Sequence, residues 1–169
     1  MYFNKMKTAF LGLAFVTAGF ATAQSTDSAN NATTKTGQNQ VQATTQDAEA
    51  LVKQATEYQN AQNWQAAVET WNKVSALLPD WAPAYYSKGY AYQSAKDNES
   101  AKAAYEKYVA TVKPEEIEAN KQTLGYAYFF LAFSEQQANP EKAKQYITKS
   151  LQYDPSNQEA VKLNQILNS

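Results

Sequence analysis

The 169-residue chain contains no cysteine, no histidine and no arginine. Without cysteine there are no disulfides, no thiolate nucleophile and no lipid attached through sulfur. Without histidine the commonest general base and the commonest transition-metal ligand are missing. All 15 basic residues are lysines, so the planar fork that grips phosphate or carboxylate in two places is absent. With a formal net charge of −1, nothing in the composition favours nucleic acid. Glycine and proline are scarce, five of each against 12 tyrosines, which suits packed helices better than a sheet with many turns.

These absences exclude Ser/His/Asp and Cys/His catalysis and a zinc site built from Cys and His. Two groups of carboxylates remain, Glu115 with Glu116 and Glu118, and Asp97 with Glu99. Both sit beside expected helix N-termini, where acids are stabilised by the helix dipole. No glycine-rich phosphate loop is present. The chain is therefore read as a non-enzyme, with no catalytic residue, no metal and no cofactor assigned.

At the N-terminus Lys5 and Lys7 precede an apolar run from Ala9 to Ala21, and Ala21-Thr22-Ala23 is followed by Gln24. A positive start, a short greasy middle and an Ala-x-Ala site read as an export signal over residues 1–23, cleaved after Ala23. The run is short for a membrane span, which needs ~20 apolar residues. Residues 24–46 are mostly Ser, Thr, Asn, Gln and Ala, with Val41 as the main apolar exception. That composition cannot offset its ordering entropy by burial and predicts a disordered linker. The expected compartment is the periplasm, or second the extracellular space.

From residue 47 to 169 the apolar spacing is helical, and it repeats. Ala55, Tyr58, Ala67, Trp71 and Val74 return 34 residues later as Gly89, Tyr92, Ala101, Tyr105 and Tyr108. A period of this length marks stacked αα-hairpins, each unable to bury its apolar face alone. A third unit is displaced. Tyr85, Gly89 and Gln93 return 43 residues on as Tyr128, Ala132 and Gln136, whereas Ala101 and Tyr105 return 42 on as Ala143 and Ile147. About nine residues are thus inserted from Pro114 to Gln122 and one is lost from the internal turn. Proline followed by acids predicts a first helix lengthened at its N-terminal end, with Gly125 as a site for a kink. Asn63, Asp97 or Asn98, and Asn139 with Pro140 are placed to start the second helices, and Asp154-Pro155 to start a last one. The units fall at about 48–81, 82–113 and 114–155, with a capping helix over 156–168. An ordinary bundle needs no such return, and a coiled-coil seam wants aliphatics where small residues and rings alternate here.

These residues resemble the tetratricopeptide repeat family, whose motif places an aromatic, Leu-Gly or Leu-Ala and Tyr on helix A, and Ala, an aromatic and Ala on helix B, with a closing Pro. Tyr85, Gly89, Tyr92, Ala101 and Tyr105 carry the pattern in the second unit; Ala55, Tyr58, Ala67, Trp71 and Pro79 in the first; Tyr128, Leu131, Ala132, Ala143 and Pro155 in the third. Lys88 and Gln54 stand where Leu is usual, and Glu135 where Tyr is expected. The resemblance implies an all-α, right-handed αα-hairpin superhelix of about three repeats plus a capping helix. Small residues at Ala55, Gly89 and Ala132 would let helix A approach helix B, with Tyr58, Trp71, Tyr92 and Tyr105 filling the space between hairpins.

The resemblance also implies a concave face lined by the A helices. One stripe there reads Val52, Thr56 and Gln59, then Tyr86, Tyr90 and Gln93, then Phe129, Phe133 and Gln136. Each triplet is spaced i, i+4, i+7 and occupies one helix face. The stripe is uncharged, with rings at its middle and a Gln at equivalent places in all three units. Rings offer contact area, and Gln amides donate to and accept from a peptide backbone. The expected partner is an apolar or aromatic segment of another protein. The Lys, Asn and Arg pattern by which chaperone-tail binders of the family clamp a terminal carboxylate is missing. The expected function is an adaptor or scaffold of the cell envelope. The alternatives are a self-associating structural protein that forms a homo-oligomer, and a hydrolase on an α-helical scaffold.

Overall fold

In the computed structural model, residues 33–169 are described, with side chains from residue 46 onward. The expected export signal and residues 24–32 lie outside the described residues. Seven α-helices follow one another, and no strand occurs among the described residues. They are α1 (Thr33–Asn60), α2 (Trp64–Leu77), α3 (Ala82–Ser94), α4 (Asn98–Thr111), α5 (Lys121–Glu135), α6 (Pro140–Tyr153) and α7 (Gln158–Leu167). Each helix packs against the next in the chain, from α1 on α2 to α6 on α7. The result is three hairpins in series, closed by a single helix.

The polar breaks seen in the sequence start the second helices. The Asn63 side chain accepts from the Ala66 N–H, Asp97 from the Ser100 N–H at 3.1 Å and Asn139 from the Lys142 N–H at 3.1 Å. Each side chain satisfies one of the donors that a helix start leaves unpaired. The turns before the first two caps are alike. Gln62 (φ 57°) and Lys96 (φ 66°) are left-handed, and they stand one repeat apart. In both, the cap N–H reaches back six residues inclusive, Asn63 to the Tyr58 carbonyl and Asp97 to the Tyr92 carbonyl. That is the Schellman closure of a helix. The third hairpin lacks the left-handed residue, and Asn139 N–H bonds to the Glu135 carbonyl instead. This is the single residue missing from its spacing.

The core runs along the stack as three linked clusters. Val52, Ala55, Ala67, Val68, Trp71, Val74, Ala84 and Ala91 join α1, α2 and α3. Tyr85, Ala101, Tyr105, Tyr108, Leu124, Ala127, Phe130 and Leu131 join α3, α4 and α5. Ala132, Ile147, Ala160 and Leu163 join α5, α6 and α7. Gly89 is small because the Tyr105 ring lies on it; a Cβ there would stand 2.9 Å from the ring.

The third unit and the last helix add detail to the expectations. Helix α5 starts at Lys121, about one turn before Gly125, the counterpart of the α3 start at Ala82, so the expected lengthening is there in part, while the rest of the insert forms two separate 3-10 turns, Pro114–Glu116 and Glu118–Asn120. Ile117 packs on the core, and the Tyr108 hydroxyl donates to Asn120 Oδ1 at 3.4 Å, so the insert is tied to α4. Gly125 serves close approach: a Cβ there would lie 2.7 Å from Asp154 Cβ, and the Ser150 hydroxyl donates to its carbonyl. The last helix is capped by Asn157, which accepts from the Ala160 N–H, while Asp154 accepts from the Ser156 N–H and hydroxyl in the turn before it. Helix α1 reaches back to Thr33, into the stretch read from the sequence as linker. That stretch has Gly37 as its one helix-weakening glycine and no proline to stop the helix.

Candidate partner-binding face

Helices α3 and α5 bring a strip of rings together. Tyr86, half-buried, meets Tyr105, Tyr108 and Tyr126 edge-on at centroid distances of 5.7, 5.2 and 6.4 Å. Tyr126 lies 6.4 Å from Phe129, and Phe129 lies 6.4 Å from Phe133. Phe133 is 45% exposed, so the strip ends at solvent. Tyr90, half-buried, packs edge-on at 6.0 Å against Trp64 at the start of α2. Edge-on rings stabilise each other beyond the area they bury, which holds such a strip in one arrangement.

The first-repeat part of the expected stripe is not an open wall. Val52 is buried in the first core cluster. Gln59 is also buried, and its Oε1 accepts from the Trp71 indole N–H. Thr56 is half-buried and donates to the Val52 carbonyl at 2.8 Å. The i, i+4, i+7 face of α1 therefore turns toward α2 and α3, so Val52 and Gln59 belong to the core.

The glutamines likewise serve the fold. Gln93 Oε1 accepts from Tyr105 at 3.1 Å and from Tyr126 at 2.9 Å. Gln136 donates to the Phe133 carbonyl one turn back. Only in the first two repeats does helix B offer a ring donor, Trp71 or Tyr105. Ile147 fills that place in the third, which leaves Gln136 to its own helix.

Tyr126 and Trp64 belong to the face and were not assigned to it from the sequence. Tyr126 lies three and seven residues before Phe129 and Phe133, on their helix face. Its counterpart in the second repeat, 43 residues earlier, is Pro83, so the repeat comparison gave no sign of it. Burial pushes the phenols of Tyr108 and Tyr126 up to about 12, and it also raises those of Tyr86 and Tyr105.

Residues 82–110 match the tetratricopeptide repeat family. The Arabidopsis OM64 TPR domain superposes with a TM-score of 0.59 at 15% identity, over 73% of this chain and 96% of that one. The first TPR of Spaghetti (RPAP3), bound to HSP90 peptide SRMEEVD, superposes with a TM-score of 0.55 at 21% identity, over 73% and 91%. The chain has the tetratricopeptide-repeat fold. The second TPR domain of human RPAP3, in complex with HSP70 peptide SGPTIEEVD, also superposes at 0.55, with 17% identity over 75% and 98%. A comparison with curated protein sequences gives no match.

The one charged departure of the third repeat from the tetratricopeptide pattern has a structural role. Glu135, which stands where Tyr is usual, is buried and binds Lys102 at 2.6 Å and Lys142 at 3.4 Å. Lys142 also meets Glu106 at 3.2 Å. This network ties α4, α5 and α6 together. The Lys102 hydrogen bond holds the Glu135 carboxyl below its usual range, and the same bond raises Lys102.

The two carboxylate groups considered for catalysis are spread over helix starts. Glu116 accepts from the Lys113 N–H at 3.1 Å, Glu118 pairs with Lys121 at 2.8 Å, and Asp97 caps α4. No group of three or more candidate metal ligands gathers among the described residues.

Proposed function

We propose that this chain is an exported adaptor that binds an apolar or aromatic segment of another envelope protein along the α3–α5 ring strip. The observation that carries this reading is the unbroken run Tyr86, Tyr126, Phe129, Phe133, half-buried at one end and solvent-exposed at the other. A strip of that kind offers rigid rings at low entropic cost to a second chain. The fold supports an interaction role, since stacked hairpins leave extended surfaces for other polypeptides. The ligand class differs from the acidic peptides on the two RPAP3 domains, because the nine stripe residues carry no charge. Catalysis is not part of this reading; of the carboxylates considered for it, Asp97 and Glu116 serve helix starts and Glu118 an ion pair.

Export rests on Lys5, Lys7, the apolar run and Ala21-Thr22-Ala23. No helix among the described residues is long and apolar enough to cross a membrane. Mass spectrometry of the protein recovered from cells should give Gln24 as the mature N-terminus, and retention of residues 1–23 would contradict export.

The groove is tested by a photo-crosslinking side chain placed at Phe133, compared with one at Lys149. A partner captured from Phe133 and not from Lys149, and lost on Tyr90→Ala with Phe129→Ala, fits the proposal. Equal capture from both positions by a protein with intact helical circular dichroism would overturn it. Self-association through the same rings is separated by light scattering at several concentrations, because only that alternative gives a mass that rises with concentration.

A further inference from the structure

Helices α3 and α4 frame an open cleft of about 250 Å³ that shares no residue with the ring strip. Tyr85, Lys88 and Tyr92 line it from α3, and Ser100, Ala104 and Lys107 from α4. Ala103 and Ala104, both small, line it as well.

Lys88 occupies the helix A position where the repeat pattern has Leu. It is half-buried and makes no ion pair among the described residues. Burial lowers its pKa, and no carboxylate offsets the effect. A cation taken partly out of water without a counter-ion is unfavourable, and the leucine of the pattern would avoid that cost. Lys107 Nζ stands 5.7 Å from the centre of the Tyr85 ring and also makes no described ion pair. The hydroxyl of Tyr92 accepts from Asn72 at 3.3 Å and keeps its own proton to donate. Two lysines and two tyrosines thus line one open space.

We infer that this cleft binds a small organic carboxylate, its charge between Lys88 and Lys107 and its apolar body against the rings of Tyr85 and Tyr92. Phosphate fits less well for two reasons. The chain has no arginine fork. The Ser100 backbone N–H at the start of α4 is already taken by the Asp97 carboxylate, whose charge disfavours a dianion nearby. The inference is independent of the adaptor reading and of any partner on the ring strip.

The test uses the whole chain, with carbon-13 labelled lysine observed by NMR and benzoate and inorganic phosphate as separate probes. Benzoate should shift the Lys88 and Lys107 side-chain signals saturably and raise the Lys88 titration midpoint, and phosphate should do neither. Lys88→Leu should raise the thermal midpoint of the probe-free protein and weaken benzoate about tenfold or more. If Lys88→Leu does not fold, Lys88→Gln serves for the binding comparison. A Lys88 signal unmoved by benzoate, or benzoate binding unchanged in the variant, overturns the proposal. Equal binding of phosphate overturns its assignment to carboxylates.

Discussion

Gln93 on α3 accepts a hydrogen bond from the Tyr105 hydroxyl on α4 at 3.1 Å, and one repeat earlier Gln59 accepts from the Trp71 indole in the same way. Each pair is separated by 12 residues, from the end of helix A to the middle of helix B. The amide thus fixes the crossing of the two helices inside a hairpin. Gln93 also pairs with Tyr126 of the next hairpin, so it joins two repeats.

Replacing Gln93 by Leu should therefore destabilise more than its half-buried position suggests. Two tyrosine hydroxyls lose their acceptor, at a cost of about 2–4 kcal/mol in all. Tyr105→Phe should cost less, about 1 kcal/mol, because Gln93 keeps Tyr126. Urea unfolding of both variants checks the order, and a Gln93→Leu protein as stable as the parent would show that the amide does not lock the hairpin.

Alkaline unfolding should follow the buried phenols. Burial holds Tyr108 and Tyr126 at about 12, with Tyr86 and Tyr105 also raised, whereas an unfolded tyrosine titrates near 10. A raised folded pKa contributes stability that is complete below the unfolded value and is lost as pH rises through the folded one. Stability should decline from about pH 10 and be lost progressively toward about pH 12. Tyrosinate absorbance rising in step with loss of helical circular dichroism would show this. Full ionisation of all tyrosines with helices intact would contradict it.

On the acid side Glu135 sets the trend. Its folded pKa is lowered by Lys102, so its contribution is present above the unfolded glutamate value, ~4.3, and is lost as pH falls through the folded value. Glu135→Gln should cost about 1–2 kcal/mol at neutral pH, because solvent reaches both lysines and screens them. The gap between variant and parent should close in acid. Denaturant midpoints measured across the acid range would reveal a gap that stays constant if the ion network contributes nothing.

The two left-handed turn residues give a gain in place of a loss. Lys96 at φ 66° and Gln62 at φ 57° each carry a strain that glycine does not. Lys96→Gly and Gln62→Gly should each stabilise by about 0.5–1 kcal/mol after the larger unfolded-state entropy of glycine is subtracted. The reverse change, Gly89→Ala, should destabilise by about 1–3 kcal/mol because its methyl meets the fully buried Tyr105 ring. Thermal melts of the three variants should rise, rise and fall in turn.

The sequence by itself determined the hairpin repeat, because the spacing of small residues and rings is covalent and must return wherever the same helix pair is stacked. It also determined the helix starts at Asn63 and Asn139 and narrowed the one between them to Asp97 or Asn98, because a capping side chain acts within three residues along the chain. Tertiary structure alone decided which polar and aromatic groups face inward. The α1 stripe reads like those of α3 and α5, yet Trp71 draws Gln59 into the core. Glu135 reads as a lost motif residue until Lys102 and Lys142, distant in the chain, arrive beside it. Tyr126 has a proline, Pro83, as its repeat counterpart, and it joins the ring strip through its contacts with Tyr86 and Phe129. Burial and pairing of this kind depend on neighbours brought together by packing, and helical periodicity carries no record of which neighbour stands opposite.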